Sequence, residues 1–171
     1  MTRDQKVVAI GAGSGVAAML LAMWGLSAAL PMPVDAATLD GRIAYALRWN
    51  AVAALPLFLM LVAVGNARFK SEAIDPTRGA ESRTTLIDGR VADNTLQQFA
   101  LFVAGTLGLA ASLPAEDLPV VGAAAIVFVT MQLLFWIGYR IDPLYRAFGF
   151  SSTLYLNLGL LIAALWYGIR Q

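Results

Sequence analysis

The sequence predicts an all-α integral membrane helical bundle with five transmembrane helices. Three observations predict it. Of 171 residues, 59% are hydrophobic and 13% charged, with a mean hydropathy of +0.70; a soluble domain carries roughly 25% charged residues. Five stretches, 7–34, 49–67, 94–115, 118–139 and 147–169, hold no charge and are 28, 19, 22, 22 and 23 residues long. A bilayer core about 30 Å thick needs about 20 apolar residues per helix. All 12 basic and 11 acidic residues fall between those stretches.

The first element runs from about Val7 to Leu30. Arg3 and Lys6 before it, and Val34-Asp35-Ala36 after it, resemble the start and cleavage site of a signal peptide. Its apolar run is too long for that, so a retained helix is expected. Gly11 and Gly15 form a GxxxG spacing, which permits close helix contact. Gly11-Ala12-Gly13-Ser14-Gly15 also imitates a dinucleotide-binding turn, but Val16 stands where the third glycine belongs and no βαβ unit follows.

The second element spans about Ile43 to Ala67, with a kink expected at Pro56 because proline removes a backbone donor. Residues 68–90 read as one substantial polar loop, punctuated by Pro76 and Gly79. The third element spans about Val91 to Leu113. The fourth runs from Leu118 to Tyr139 after a tight Pro114–Asp117 turn, and the fifth from Phe148 to Ile169. Two units are expected: 1–42, a transmembrane helix with its external loop, and 43–171, a four-helix membrane domain.

Basic residues set the expected orientation. With the N-terminus cytoplasmic and the C-terminus outside, nine of the 12 basic residues lie inside, and only Arg42, Arg48 and Arg170 lie outside. For a bacterial chain this is the inner (plasma) membrane. Trp24, Trp49, Trp136 and Trp166 read as interfacial anchors near span ends. No charge is placed deep in a span, which argues against a transporter or channel.

The chain has no histidine and no cysteine. That removes Ser-His-Asp and Cys-His catalysis, disulfides, and the usual zinc, copper and haem ligands, so no metal site is expected. Any thiol nucleophile must arrive with a substrate. A net charge of +1 exerts no overall pull on nucleic acid, leaving membrane lipid as the surrounding partner.

Polar residues cluster at the cytoplasmic ends. Arg90, Asn94 and Gln97 follow an i, i+4, i+7 pattern and share one helix face. A guanidinium and two amides suit a carboxylate or peptide-like ligand, and equally suit a helix end at headgroup depth. Arg140 and Arg146 flank Asp142-Pro143, beside Tyr139 and Tyr145. Two cations before a helix N-terminus can hold an anion or lower a thiol's pKa, or contact lipid phosphate.

The run Arg90-Val91-Ala92-Asp93-Asn94-Thr95-Leu96-Gln97-Gln98-Phe99-Ala100-Leu101-Phe102 resembles the second-helix signature of the MAPEG superfamily. These are the membrane-associated proteins in eicosanoid and glutathione metabolism. Arg90, Asn94, Phe99 and Phe102 fall in register. Gly138-Tyr139 followed by Arg146, and Arg68 after the second element, also match; the resemblance covers about residues 43–169.

The resemblance implies a four-helix bundle, here with an added N-terminal helix, that assembles as a homotrimer. It implies glutathione as co-substrate between neighbouring subunits, with Arg90, Asn94, Gln97, Tyr139, Arg140 and Arg68 as binding residues. Arg146 is then the catalytic residue that stabilises the thiolate. The implied activity is a glutathione-dependent transferase or peroxidase acting on lipophilic small molecules. Three positions depart from the pattern: Gln97 replaces a glutamate, Gln98 an aromatic and Phe135 a tyrosine. The alternative is a non-catalytic membrane protein of the same fold that binds lipid or a protein partner.

Overall fold

Each charge-free stretch lies largely in a helical span long and apolar enough to cross a membrane. The computed structural model describes residues 1–170; residue 171, where the second expected unit ends, lies outside them. Helix α1 (Arg3–Ala29) starts at a capping box, in which the Thr2 and Gln5 side chains each accept the other's backbone N–H at 3.2 and 2.9 Å. That satisfies donors which the first turn leaves unpaired.

The second span is two helices, α2 (Leu39–Ala53) and α3 (Leu55–Phe69), joined at Ala54. Pro56, in the first turn of α3, accounts for the break, so the expected kink is present. The span begins four residues before Ile43 because Thr38 caps it, accepting the Gly41 N–H at 3.1 Å.

Helix α4 (Arg83–Ser112) corrects the sequence reading. It begins eight residues before Val91, so 83–90 is helix rather than loop. Ser82 caps it by accepting the Thr85 N–H at 3.1 Å. Charged residues continue a helix as readily as apolar ones once it leaves the hydrocarbon, so hydropathy did not mark this turn. Only the remaining segment is irregular, with short 3₁₀ turns at Glu72–Ile74 and Pro76–Arg78. Arg68 closes it onto Glu81 at 2.6 Å. Helices α5 (Pro119–Ile141) and α6 (Arg146–Ile169) complete the bundle.

The bundle has no strand among the described residues. Helix α6 packs on α1, α4 and α5, while the kinked second span leans on α4 and α5. Small side chains such as Ala46, Ala53, Ala110, Ala124 and Ala125 are buried and let the backbones approach. Phe102 and Phe128 fill the centre with ring centroids 4.5 Å apart. The GxxxG of α1 is used: a Cβ at Gly15 would run into the Phe148 carbonyl, and Gly11 lies over Ala147.

Buried amides and hydroxyls tie the helices together. Thr106 donates to Asn50 at 2.9 Å, and Thr95 donates to Gln132, which donates to Thr153, at 3.0 and 3.4 Å. Asn157 donates to the Gln98 carbonyl at 2.9 Å. In lipid, polar groups find partners inside the protein or pay a desolvation cost.

Candidate functional site

At the end of the bundle where α4 begins and α5 ends, a cavity of about 410 Å³ opens between α4, α5 and α6. Arg90 and Asn94 reach it from α4, Phe135 and Tyr139 from α5, and Arg146 from the start of α6. Val8 of α1 adds a wall. The α4 pair arrives there because residues four apart share a helix face. Tyr139 and Arg146 meet because the short turn after α5 brings α6 straight back.

Arg146 Nη1 donates to the Tyr139 hydroxyl at 3.1 Å, and its guanidinium lies 5.2 Å from that ring's centroid. Arg90 approaches the same hydroxyl. Phe135 stacks on Tyr139 at 6.0 Å, so the position lacking a hydroxyl supplies an apolar wall instead. Asn94 Oδ1 accepts from Gln98 Nε2 at 3.1 Å. Among the described residues that leaves the Asn94 amide N–H groups free to donate to a ligand. Gln98 is itself held by Asn157, so a buried relay sets which way Asn94 faces.

The polar lining is therefore rich in donors: two guanidinium groups, an amide, a phenol and the Ser151 hydroxyl. No aspartate or glutamate among the described residues lines the cavity. Among the described residues no group of acids, histidines or cysteines is placed to hold a metal. Such an arrangement recognises acceptors and negative charge.

Of the sequence-expected site residues, the structure brings Arg90, Asn94, Tyr139 and Arg146 to one cavity within a single chain. It places three elsewhere. Gln97 lies on the same face of α4 but is exposed and lines no part of the cavity. Arg68 is paired with Glu81. Arg140 grips Asp88 through two bonds, Nε to Oδ1 at 2.8 Å and Nη2 to Oδ2 at 2.6 Å.

Asp88 is the residue that sequence reasoning missed. Assigned to the loop, it is a helical residue only 1% exposed. Trp136 also donates to it, at 2.7 Å, so this half-buried tryptophan is a hydrogen-bond partner rather than only an interfacial anchor. Its ring carries the Arg140 guanidinium at 4.8 Å. The available signal was spacing: Trp136 and Arg140 lie four apart, on one face of α5.

Fold and site together define a multi-pass, all-α membrane protein with a donor-lined cavity at one end of its bundle. The model of the MAPEG family matches residues 42–166, and the chain belongs to that family. Helix α1 lies outside the matched residues. The chain is 26% identical to mouse (Mus musculus) transmembrane protein 79 over 139 residues, covering 80% of this chain and 35% of that protein. The bovine (Bos taurus) protein of the same name is 24% identical over the same coverage. The chain thus spans about a third of the length of the curated relatives it matches. No solved structure matches.

Proposed function

We propose that the cavity between α4, α5 and α6 binds glutathione and presents its thiolate to lipophilic electrophiles, as a transferase or peroxidase. One observation carries this reading: Arg90, Asn94, Tyr139 and Arg146 converge on one cavity as donors. Arg90 and Asn94 would hold the ligand's carboxylate and peptide oxygens. Arg146 and the Tyr139 hydroxyl would stabilise negative charge on sulfur, since an adjacent cation lowers a thiol's pKa. The bound thiol supplies the nucleophile that this chain lacks. Phe135, Phe150 and Val8 would receive the apolar co-substrate.

Equilibrium binding of glutathione to the purified protein, followed by thiolate absorbance, tests the reading. Binding at millimolar concentration with a thiolate band that weakens in Arg146→Ala is expected. Absence of binding refutes it.

A second reading is a non-catalytic protein of the same fold that binds lipid or a protein partner. The favouring observation is the absence of an acidic residue from the lining, which leaves a ligand ammonium without a partner. This reading predicts co-purifying anionic lipid and no thiol dependence.

We further propose a homotrimer, and a cytoplasmic N-terminus with the arginine cavity on the cytoplasmic side. The uneven spread of basic residues supports that orientation. Native mass spectrometry tests the first. Single-cysteine labelling tests the second, on a chain with no cysteine of its own.

A further inference from the structure

A second cavity lies at the other end of the bundle. It is a groove of about 510 Å³ between α1 and α6, closed at one end by the turn that leads into α5. That volume falls within the range of small-molecule sites, ~300–1,000 Å³. Met19 and Met23 line it from α1, and Leu156 and Gly159 from α6. Its walls belong to membrane-spanning helices, so what reaches it is acyl chain rather than water.

Its polar lining includes Ser27, Tyr155 and Tyr167, and its charged rim is acidic. Glu116 and Asp117 line it, both are exposed, and neither forms an ion pair among the described residues. Among the described residues no lysine or arginine lines the groove. The arginines on this side are committed elsewhere. Arg42 donates to the carbonyls of Ala36 and Leu113, at 2.7 Å each, and Arg48 to that of Ala44 at 3.2 Å. Arg170 lies 3.8 Å over the Trp166 ring.

We propose that this groove binds a membrane phospholipid whose headgroup carries a primary ammonium, such as phosphatidylethanolamine. One acyl chain lies between α1 and α6, and the ammonium sits on Glu116 and Asp117. A primary ammonium brings three donors to two carboxylates, whereas a headgroup of net negative charge is repelled by them. The α1 wall makes the site depend on the N-terminal helix, outside the residues matched to the family. It stands independently of the arginine cavity.

The full chain, released from membranes, is titrated with equimolar phosphatidylethanolamine and phosphatidylglycerol of identical acyl chains and weighed by native mass spectrometry. A severalfold preference for phosphatidylethanolamine is expected. The Glu116→Gln/Asp117→Asn double variant should lose the preference while still retaining lipid. Gly159→Trp should lose lipid of both kinds. A Cβ there meets nothing within 4 Å, so the indole enters the groove and not the core. Equal retention of the two lipids by the wild type overturns the proposal. So does undiminished retention by Gly159→Trp, or a disulfide between two copies through Tyr155→Cys, which would give the groove to a second copy. Should Gly159→Trp fail to fold, the double variant at the exposed rim still decides.

Discussion

Two arginine clusters sit side by side at one end of the bundle, and only one is open to a ligand. Arg140 is held by Asp88 in a bidentate pair and lies over Trp136. Among the described residues Arg90 and Arg146 have no carboxylate partner, and they converge on Tyr139 at the rim of a cavity. By charge count the three residues are equivalent. One buried aspartate separates them, turning Arg140 into a tie between α4 and α5 and leaving the other two as binding groups.

The sharpest way to break this contrast is Arg140→Ala. It strands an Asp88 side chain that is 2% exposed, with only the Trp136 donor left. Asp88 is buried but the Arg140 side chain is 44% exposed, so solvent screening holds the cost below that of a fully buried pair, at about 1–3 kcal/mol. A large loss of thermal stability in detergent is expected. Replacing Asp88 and Arg140 together with apolar residues should restore much of it. If Arg140→Ala is as stable as the wild type, the pair is not structural.

The opposite outcome is expected at Arg146→Ala. Stability should hardly change, because this arginine is exposed. Anionic ligand affinity should fall ten- to a hundredfold, since a hydrogen bond to a charged group contributes about 1.5–3 kcal/mol. Isothermal titration with glutathione or an anionic amphiphile reads this out. Equal losses in Arg140→Ala and Arg146→Ala, measured on folded protein, would erase the distinction between the clusters.

A smaller effect is expected where α1 joins the site. Gly15→Leu collides with the Phe148 carbonyl, whereas Gly13→Leu projects into open space. Overpacking costs about 1–3 kcal/mol, here at the lower end because α1 lies at the edge of the bundle and can shift. Protease accessibility of the segment after α1 should rise in the first variant only. The smallest effect belongs to Asn157→Ala, which releases Gln98 and with it Asn94. Interhelical hydrogen bonds in membranes average about 0.6 kcal/mol. A two- to threefold loss of ligand affinity with near-normal stability is the expected result.

Much of the site was legible before the fold. Arg90 and Asn94 announced themselves by helical spacing, and Tyr139 and Arg146 by their place around the last turn. Arg140 was indistinguishable from Arg146 because its partner lies 52 positions away, in a segment whose charges looked like loop. Gln98 and Asn157 were equally silent. An amide inside an apolar span signals a buried bond, but it does not name the partner.

What the sequence determined by itself is the solvent and the number of crossings. Charge-free runs of membrane length follow from composition along one dimension, and so does the uneven placement of basic residues. The kink at Pro56 and the close approach at Gly11 and Gly15 are local chemistry, and were equally readable. Only the tertiary structure decided which charges cancel. Asp88 cancels Arg140, while Arg90 and Arg146 converge on Tyr139 without such a partner among the described residues, because α4, α5 and α6 pack at one register. Electrostatic pairing falls off over a few ångströms, so it depends on that register and on nothing a linear reading contains.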